Sequence, residues 1–209
     1  MHARFQPSFI AALLLALTFP SVATAAEWHF TPTFGWTFQA DTNLLDPDEG
    51  TSKVHWNVGG SVALLGTGIF GVEGMIVWTP GFFTNDEILV HEPLVGKSHT
   101  FAFMGNAVLT TPRKWTEYGL RPFLSGGFGV LGVSFTDVHN VFTNSGNIPA
   151  FNIGGGAIGF LSKRTGVRFD LRYYNNLPRS EEDCPIQIAF GEGCHLRYMT
   201  ASVGVVIRR

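Results

Sequence analysis

Charge is scarce in this chain. Only 14% of its 209 residues are Asp, Glu, Lys or Arg, against roughly 25% in an ordinary soluble domain. The formal net charge is −2, which offers no broad cationic face for nucleic acid. Beyond residue 25 no apolar run approaches the roughly 20 residues a membrane-crossing helix requires, so a helical membrane protein is not expected, while a membrane barrel stays open. Cysteine is limited to Cys184 and Cys194. Neither belongs to a CxxC pair and no histidine cluster adjoins them, so a structural metal centre is not expected. The acidic stretch Asp41 to Ser52 lacks the D-x-[DN]-x-[DN]-G spacing of a calcium loop and reads as solvated. Low-complexity tracts and linkers are missing too, and the length suits a single domain.

Glycine and aromatic side chains are plentiful: 25 Gly, with Phe, Trp and Tyr making up 13% of the chain. With so few charges, this favours strands and tight turns over helices. Residues 1–25 read as a cleaved signal peptide. His2 and Arg4 form a weak basic start, Phe9 to Phe19 an apolar core, and Ala23-Thr24-Ala25 a small-x-small cleavage site. Residues 26–209 are then one exported domain. In that setting Cys184 and Cys194 are expected to pair as a disulfide across a short loop.

The remaining chain alternates with the period of two that defines a strand. From Trp28 to Phe38 every even position is Trp, Phe or Pro. The odd positions are His29, Thr31, Thr33, Gly35 and Thr37. Val167, Phe169, Leu171 and Tyr173 alternate with Arg168, Asp170 and Arg172. A soluble sheet would turn the apolar face to its core; a membrane barrel inverts this, with apolar residues towards lipid and charges towards the lumen. Trp28, Phe30, Phe34, Trp36 and Phe38 in one register suit a lipid-facing strand with interfacial aromatics.

Further strands are expected over Lys53–Leu65, up to Thr79, Lys97–Thr111, Leu120–Ser134, Ala150–Leu161 and His195–Arg209. They alternate between short turns (Gly66–Gly68, Pro112–Tyr118, Ser162–Gly166) and longer loops (Asp41–Ser52, Pro80–Gly96, Phe135–Pro149, Leu177–Gly193). The expectation is an all-β, antiparallel, up-and-down transmembrane barrel of about eight strands, the size at which side chains fill the interior.

Three segments carry a resemblance. Arg121-Pro122-Phe123-Leu124-Ser125-Gly126-Gly127, then Phe151-Asn152-Ile153-Gly154-Gly155-Gly156, then Gly166 to Tyr174 occur in this order. Together they resemble the OmpA/OmpX-like eight-stranded outer-membrane β-barrel family. The match covers roughly the second half of the chain. The resemblance implies a monomeric barrel in a Gram-negative-type outer membrane, in contact with lipid and lipopolysaccharide. It implies no stable large pore, and a structural, adhesive or surface-interaction role in which loops meet an extracellular ligand. No catalytic residues, cofactor or nucleic-acid partner carry over. The chain departs from the family at Val206-Ile207-Arg208-Arg209, where members end in an aromatic residue.

The inward charges are Glu73, Arg121, Arg168, Asp170 and Arg172. Charges that lose water need partners, so they are expected to form a structural salt-bridge network, with Glu73 pairing to one of the arginines. The inward glycines Gly35, Gly59, Gly127, Gly154 and Gly156 leave room for local water pockets. Three alternative readings each demand residues in a different arrangement. A lipid A deacylase of this architecture carries a His-x-Ser pair on a late strand, where this chain has Tyr173-Tyr174-Asn175-Asn176. Ser98-His99 and Cys194-His195 are neighbours, which point to opposite faces of a strand. A small transport channel would need an open lumen. A soluble lipocalin-like barrel would need its aromatics inside.

Overall fold

The computed structural model describes residues 26–42, 54–66, 68–82, 95–112, 119–137, 143–177 and 195–209. The proposed signal peptide and both cysteines lie outside them. Eight strands follow in chain order: β1 Glu27–Thr42, β2 His55–Leu65, β3 Phe70–Pro80, β4 Val95–Thr110, β5 Leu120–Asp137, β6 Thr143–Phe160, β7 Thr165–Asn176 and β8 Leu196–Arg208. Each pairs antiparallel with its sequence neighbour, and β1 pairs with β8 to close the barrel. Closure leaves no open sheet edge around the ring, so each strand has a hydrogen-bonded neighbour on both sides.

The strands are staggered. The pairing that leaves β1 at Trp28 passes through Leu64, Val72, Ala107, Gly126, Ile153, Tyr173 and Met199, and returns to β1 at Phe38. That offset tilts the strands against the barrel axis and sets a lumen narrow enough for side chains to fill. β1 carries a bulge between Phe38 and Asp41, where Gln39 sits at φ 50°.

The alternation sorts the faces as expected from the sequence. Trp28, Phe34, Trp36, Trp56, Phe103, Leu124, Phe128 and Phe169 stand exposed on the outer wall, while His29, Asn57, Glu73, Asn106, Arg168 and Arg172 are buried inside. This is the inverted polarity of a lipid-facing barrel.

The stretch Phe135–Pro149, expected as a loop, instead contains the ends of two long strands. β5 and β6 run to 18 residues each, against 11 for β2 and β3, and they pair up to Thr136 and Thr143. The Ser, Thr and Asn content of this stretch resembles loop chemistry. Pairing, however, depends on backbone groups, and a strand that has risen past the apolar belt needs a polar outer face. Ser145 and Asn147 are exposed there.

The inward glycines do not open water pockets; neighbouring backbone fills the space. A Cβ on Gly127 would lie 1.9 Å from the Gly105 carbonyl oxygen, and one on Gly156 would lie 1.8 Å from that of Phe169. Glycine lets adjacent strands coil tightly around a small lumen.

Candidate functional site

The lumen is layered. On the side of the short turns lies an apolar cluster of Ala63, Leu65, Val108, Phe123, Ile158 and Val206. On the side of the long connections lies a larger one, including Phe82, Met104, Leu131, Ile148, Tyr174, Leu196 and Tyr198. Tyr174 and Tyr198 stack at 4.8 Å, and Phe82 meets Tyr198 edge-on at 5.3 Å. Between the two clusters runs a polar band.

That band is a continuous charged ring. β7 supplies Arg168, Asp170 and Arg172, because three alternate charges on one strand all point inward. β3 supplies Glu73 from the facing wall. The Arg168 guanidinium binds Glu73 Oε1 through Nη1 and donates to Asp170 Oδ2 at 2.6 Å through Nη2. Arg172 Nη2 reaches the same Asp170 oxygen at 2.9 Å and Glu73 Oε2 at 3.3 Å, while its Nε donates to Asp170 Oδ1 at 3.2 Å. Two carboxylates therefore stand against two guanidinium groups, and the formal charges cancel.

Amides complete the circuit. Arg172 Nη1 donates to Asn152 Oδ1 at 2.8 Å, Asn152 Nδ2 to Asn106 Oδ1 at 2.7 Å, and Asn106 Nδ2 to Glu73 Oε2 at 3.4 Å. Arg168 also donates to Ser61 Oγ at 3.4 Å, and its Cζ lies 4.3 Å above the centre of the Phe123 ring. The guanidinium is thus paired on its edge and stacked on its face. The cavity left beside the ring measures about 20 Å³, room for about one water molecule.

Arg121, expected within the same network, lies on the far side of Phe123 along β5. It donates to the carbonyls of Thr111 at 2.9 Å, Gly66 at 3.2 Å and Gly68 at 3.4 Å, tying strand ends together at the turn side. Five inward charges alone do not reveal this division, because height in the lumen depends on strand stagger. Asn106 and Asn152 read as inward positions in the sequence, yet their part in the ring emerges only when β4 and β6 are placed side by side.

No family model matches the sequence, and no curated relative matches it. Solved structures do. Neisserial surface protein A aligns with TM-score 0.59 at 10% identity, over 87% of this chain and 96% of that one. Ail of Yersinia pestis, in complex with the heparin analogue sucrose octasulfate, aligns with TM-score 0.53 at 12% identity, over 89% and 100%. The outer membrane protein OprG of Pseudomonas aeruginosa aligns with TM-score 0.53 at 12% identity, over 88% and 96%.

The chain has the fold of the eight-stranded outer-membrane barrels.

At such identity the likeness is one of architecture and transfers no activity. The ring's own chemistry is that of a paired charge network. Its carboxylates are engaged by arginines, and it presents no nucleophile held by a base. Ser98 is buried while the adjacent His99 is exposed, so those two side chains occupy opposite faces. Among the described residues, no three His, Cys, Asp or Glu side chains cluster to hold a metal ion.

Proposed function

We propose that this protein is an integral outer-membrane β-barrel with a structural or surface-interaction role and a lumen sealed without a stable large pore. The observation that carries the reading is the inverted polarity. A neutral Arg–carboxylate ring is buried inside, while Trp28, Phe34, Trp36, Trp56 and Phe128 stand exposed outside. In water such a surface would far exceed the apolar patches that soluble proteins tolerate. In a bilayer it is the favoured arrangement.

The ring acts as a structural filler and not as a reaction centre. The apolar clusters above and below it support a closed lumen, and planar-bilayer recording tests this directly. Absence of a large, steady open state is expected, and such a state would favour a channel. Export by the leader 1–25, a Cys184–Cys194 disulfide and a monomeric state complete the reading. The Ail structure holds a polysulfated ligand. In this chain Asp46, Asp48, Glu49, Glu181, Glu182 and Asp183 lie outside the described residues and read as solvated loop acids; an extracellular ligand met through these loops completes the proposal.

Membrane fractionation combined with a heat-modifiability gel tests the central claim. Recovery in the outer membrane, with a mobility shift on boiling, is expected. Recovery wholly in the soluble periplasm would defeat it.

A further inference from the structure

The turn-side rim carries a set of cations that the lumen does not use. Lys163 and Arg164 are exposed in the β6–β7 turn. That turn is braced by Ser162 Oγ, which lies 2.7 Å from Thr165 Oγ1 and accepts from the backbone N–H of Arg164 at 3.2 Å. Arg208 is anchored beside them. Its N–H donates to the Arg164 carbonyl at 2.8 Å, its guanidinium donates to the Lys163 carbonyl, and it lies 5.0 Å over the Phe160 ring. Glu27 approaches Arg208 at 3.4 Å. Arg209 is held through its backbone, which exchanges hydrogen bonds with Trp28 at 3.0 and 3.1 Å. Lys163, Arg164 and Arg209 thus present charge from an ordered scaffold.

Trp28 joins this rim to a second feature. It is half exposed on the outer wall and borders an open groove of about 660 Å³ lined by Val62, Leu64, Val72, Gly74, Gly105 and Ala107, together with Glu73 and Asn106, which are themselves buried. The groove exists because outward-facing Gly74 and Gly105 add no side chain; a Cβ at Gly74 would meet nothing within 4 Å.

We infer that the rim and groove form one site for an anionic phospholipid of the leaflet on the turn side, its phosphate at Lys163, Arg164 and Arg209 and an acyl chain along the groove beside Trp28. The inference rests on the membrane-spanning reading above. Charge complementarity selects the occupant. Cations close to a membrane surface favour anionic over zwitterionic headgroups, whereas the groove offers a predominantly apolar surface that suits an acyl chain.

The test uses residues 26–209 with Trp36, Trp56, Trp78 and Trp115 replaced by Phe, so that Trp28 alone reports. The protein is folded into phosphatidylcholine vesicles containing either brominated phosphatidylcholine or brominated phosphatidylglycerol, and quenching is compared. A preference for the anionic lipid on the order of tenfold is expected, weakening with salt and vanishing in the K163Q/R164Q/R209Q variant. Gly74→Leu, which fills the groove, should reduce quenching by both lipids. Equal quenching by the two lipids, or a preference surviving in the triple variant, overturns the headgroup assignment. Unchanged quenching in Gly74→Leu overturns the groove. No quenching by either lipid would instead defeat the membrane reading itself.

Discussion

Glu73 on β3 and Arg172 on β7 stand 99 positions apart in sequence and meet at 3.3 Å inside the lumen. Their contact crosses the barrel and ties opposite walls together. Arg168 binds the other oxygen of the same carboxylate, so Glu73 is the single acid on β3 that compensates both arginines of β7.

Removing Glu73 should therefore be costly. Glu73→Gln leaves two buried guanidinium groups facing Asp170 alone, and breaking a buried network on one side typically costs about 3–5 kcal/mol. Replacing Glu73, Arg168, Asp170 and Arg172 together with Leu or Met removes the charges along with their desolvation penalty, so it should cost less than the single change. Urea unfolding of the vesicle-embedded barrel measures both. An unchanged midpoint in Glu73→Gln would show that the ring does not hold the walls together.

The glycines separate by face. Gly156→Ala would place a methyl against the Phe169 carbonyl at 1.8 Å, forcing β6 and β7 apart at a cost of about 1–3 kcal/mol. Gly74→Ala meets nothing within 4 Å and should stay within about 0.5 kcal/mol of the parent. Chemical denaturation of the two variants side by side gives the comparison; similar losses would contradict the close approach of strands at Gly156.

Depth on the outer wall should be readable in energy. Leu124 stands 66% exposed within the apolar part of β5, and Leu124→Arg is expected to cost about 2–4 kcal/mol in a bilayer. Asn147 lies exposed on the far extension of β6, and Asn147→Arg should shift stability by less than about 1 kcal/mol. Folding titrations in lipid vesicles distinguish the positions, and equal penalties would place the belt elsewhere.

The β1 bulge holds Gln39 at φ 50°, a left-handed conformation that costs a side-chain-bearing residue roughly 1–2 kcal/mol. The bulge also brings Asp41 to Arg197, whose Nε donates at 2.8 Å. Gln39→Gly should be neutral or stabilising by up to about 1 kcal/mol, while β-branched Gln39→Val should destabilise. Thermal or urea midpoints of the pair test the strain; a stabilised Gln39→Val would exclude it.

Much of this architecture was legible in the linear chain because a strand's side-chain period of two is local. Trp28 to Phe38 and Val167 to Tyr173 declare their faces without reference to anything distant. Scarce charge and the inward Glu73 show which face avoids water. The extended β5–β6 hairpin was not legible, because its polar residues match both a loop and a strand standing above lipid, and only the pairing of Thr136 with Thr143 separates the two.

The sequence alone determined that Glu73, Arg121, Arg168, Asp170 and Arg172 point inward: alternation sets each opposite the apolar side chains of its strand, and the aromatic register of Trp28 to Phe38 with the turn-and-loop rhythm of a barrel turns the apolar face to lipid. Only the tertiary structure decided that four of them share one ring with Asn106 and Asn152, and that Arg121 belongs beyond Phe123 with the strand ends. Closure and stagger cause the difference: which side chains meet across a lumen depends on how far each strand is offset from its neighbours, and that offset is a property of the whole closed sheet.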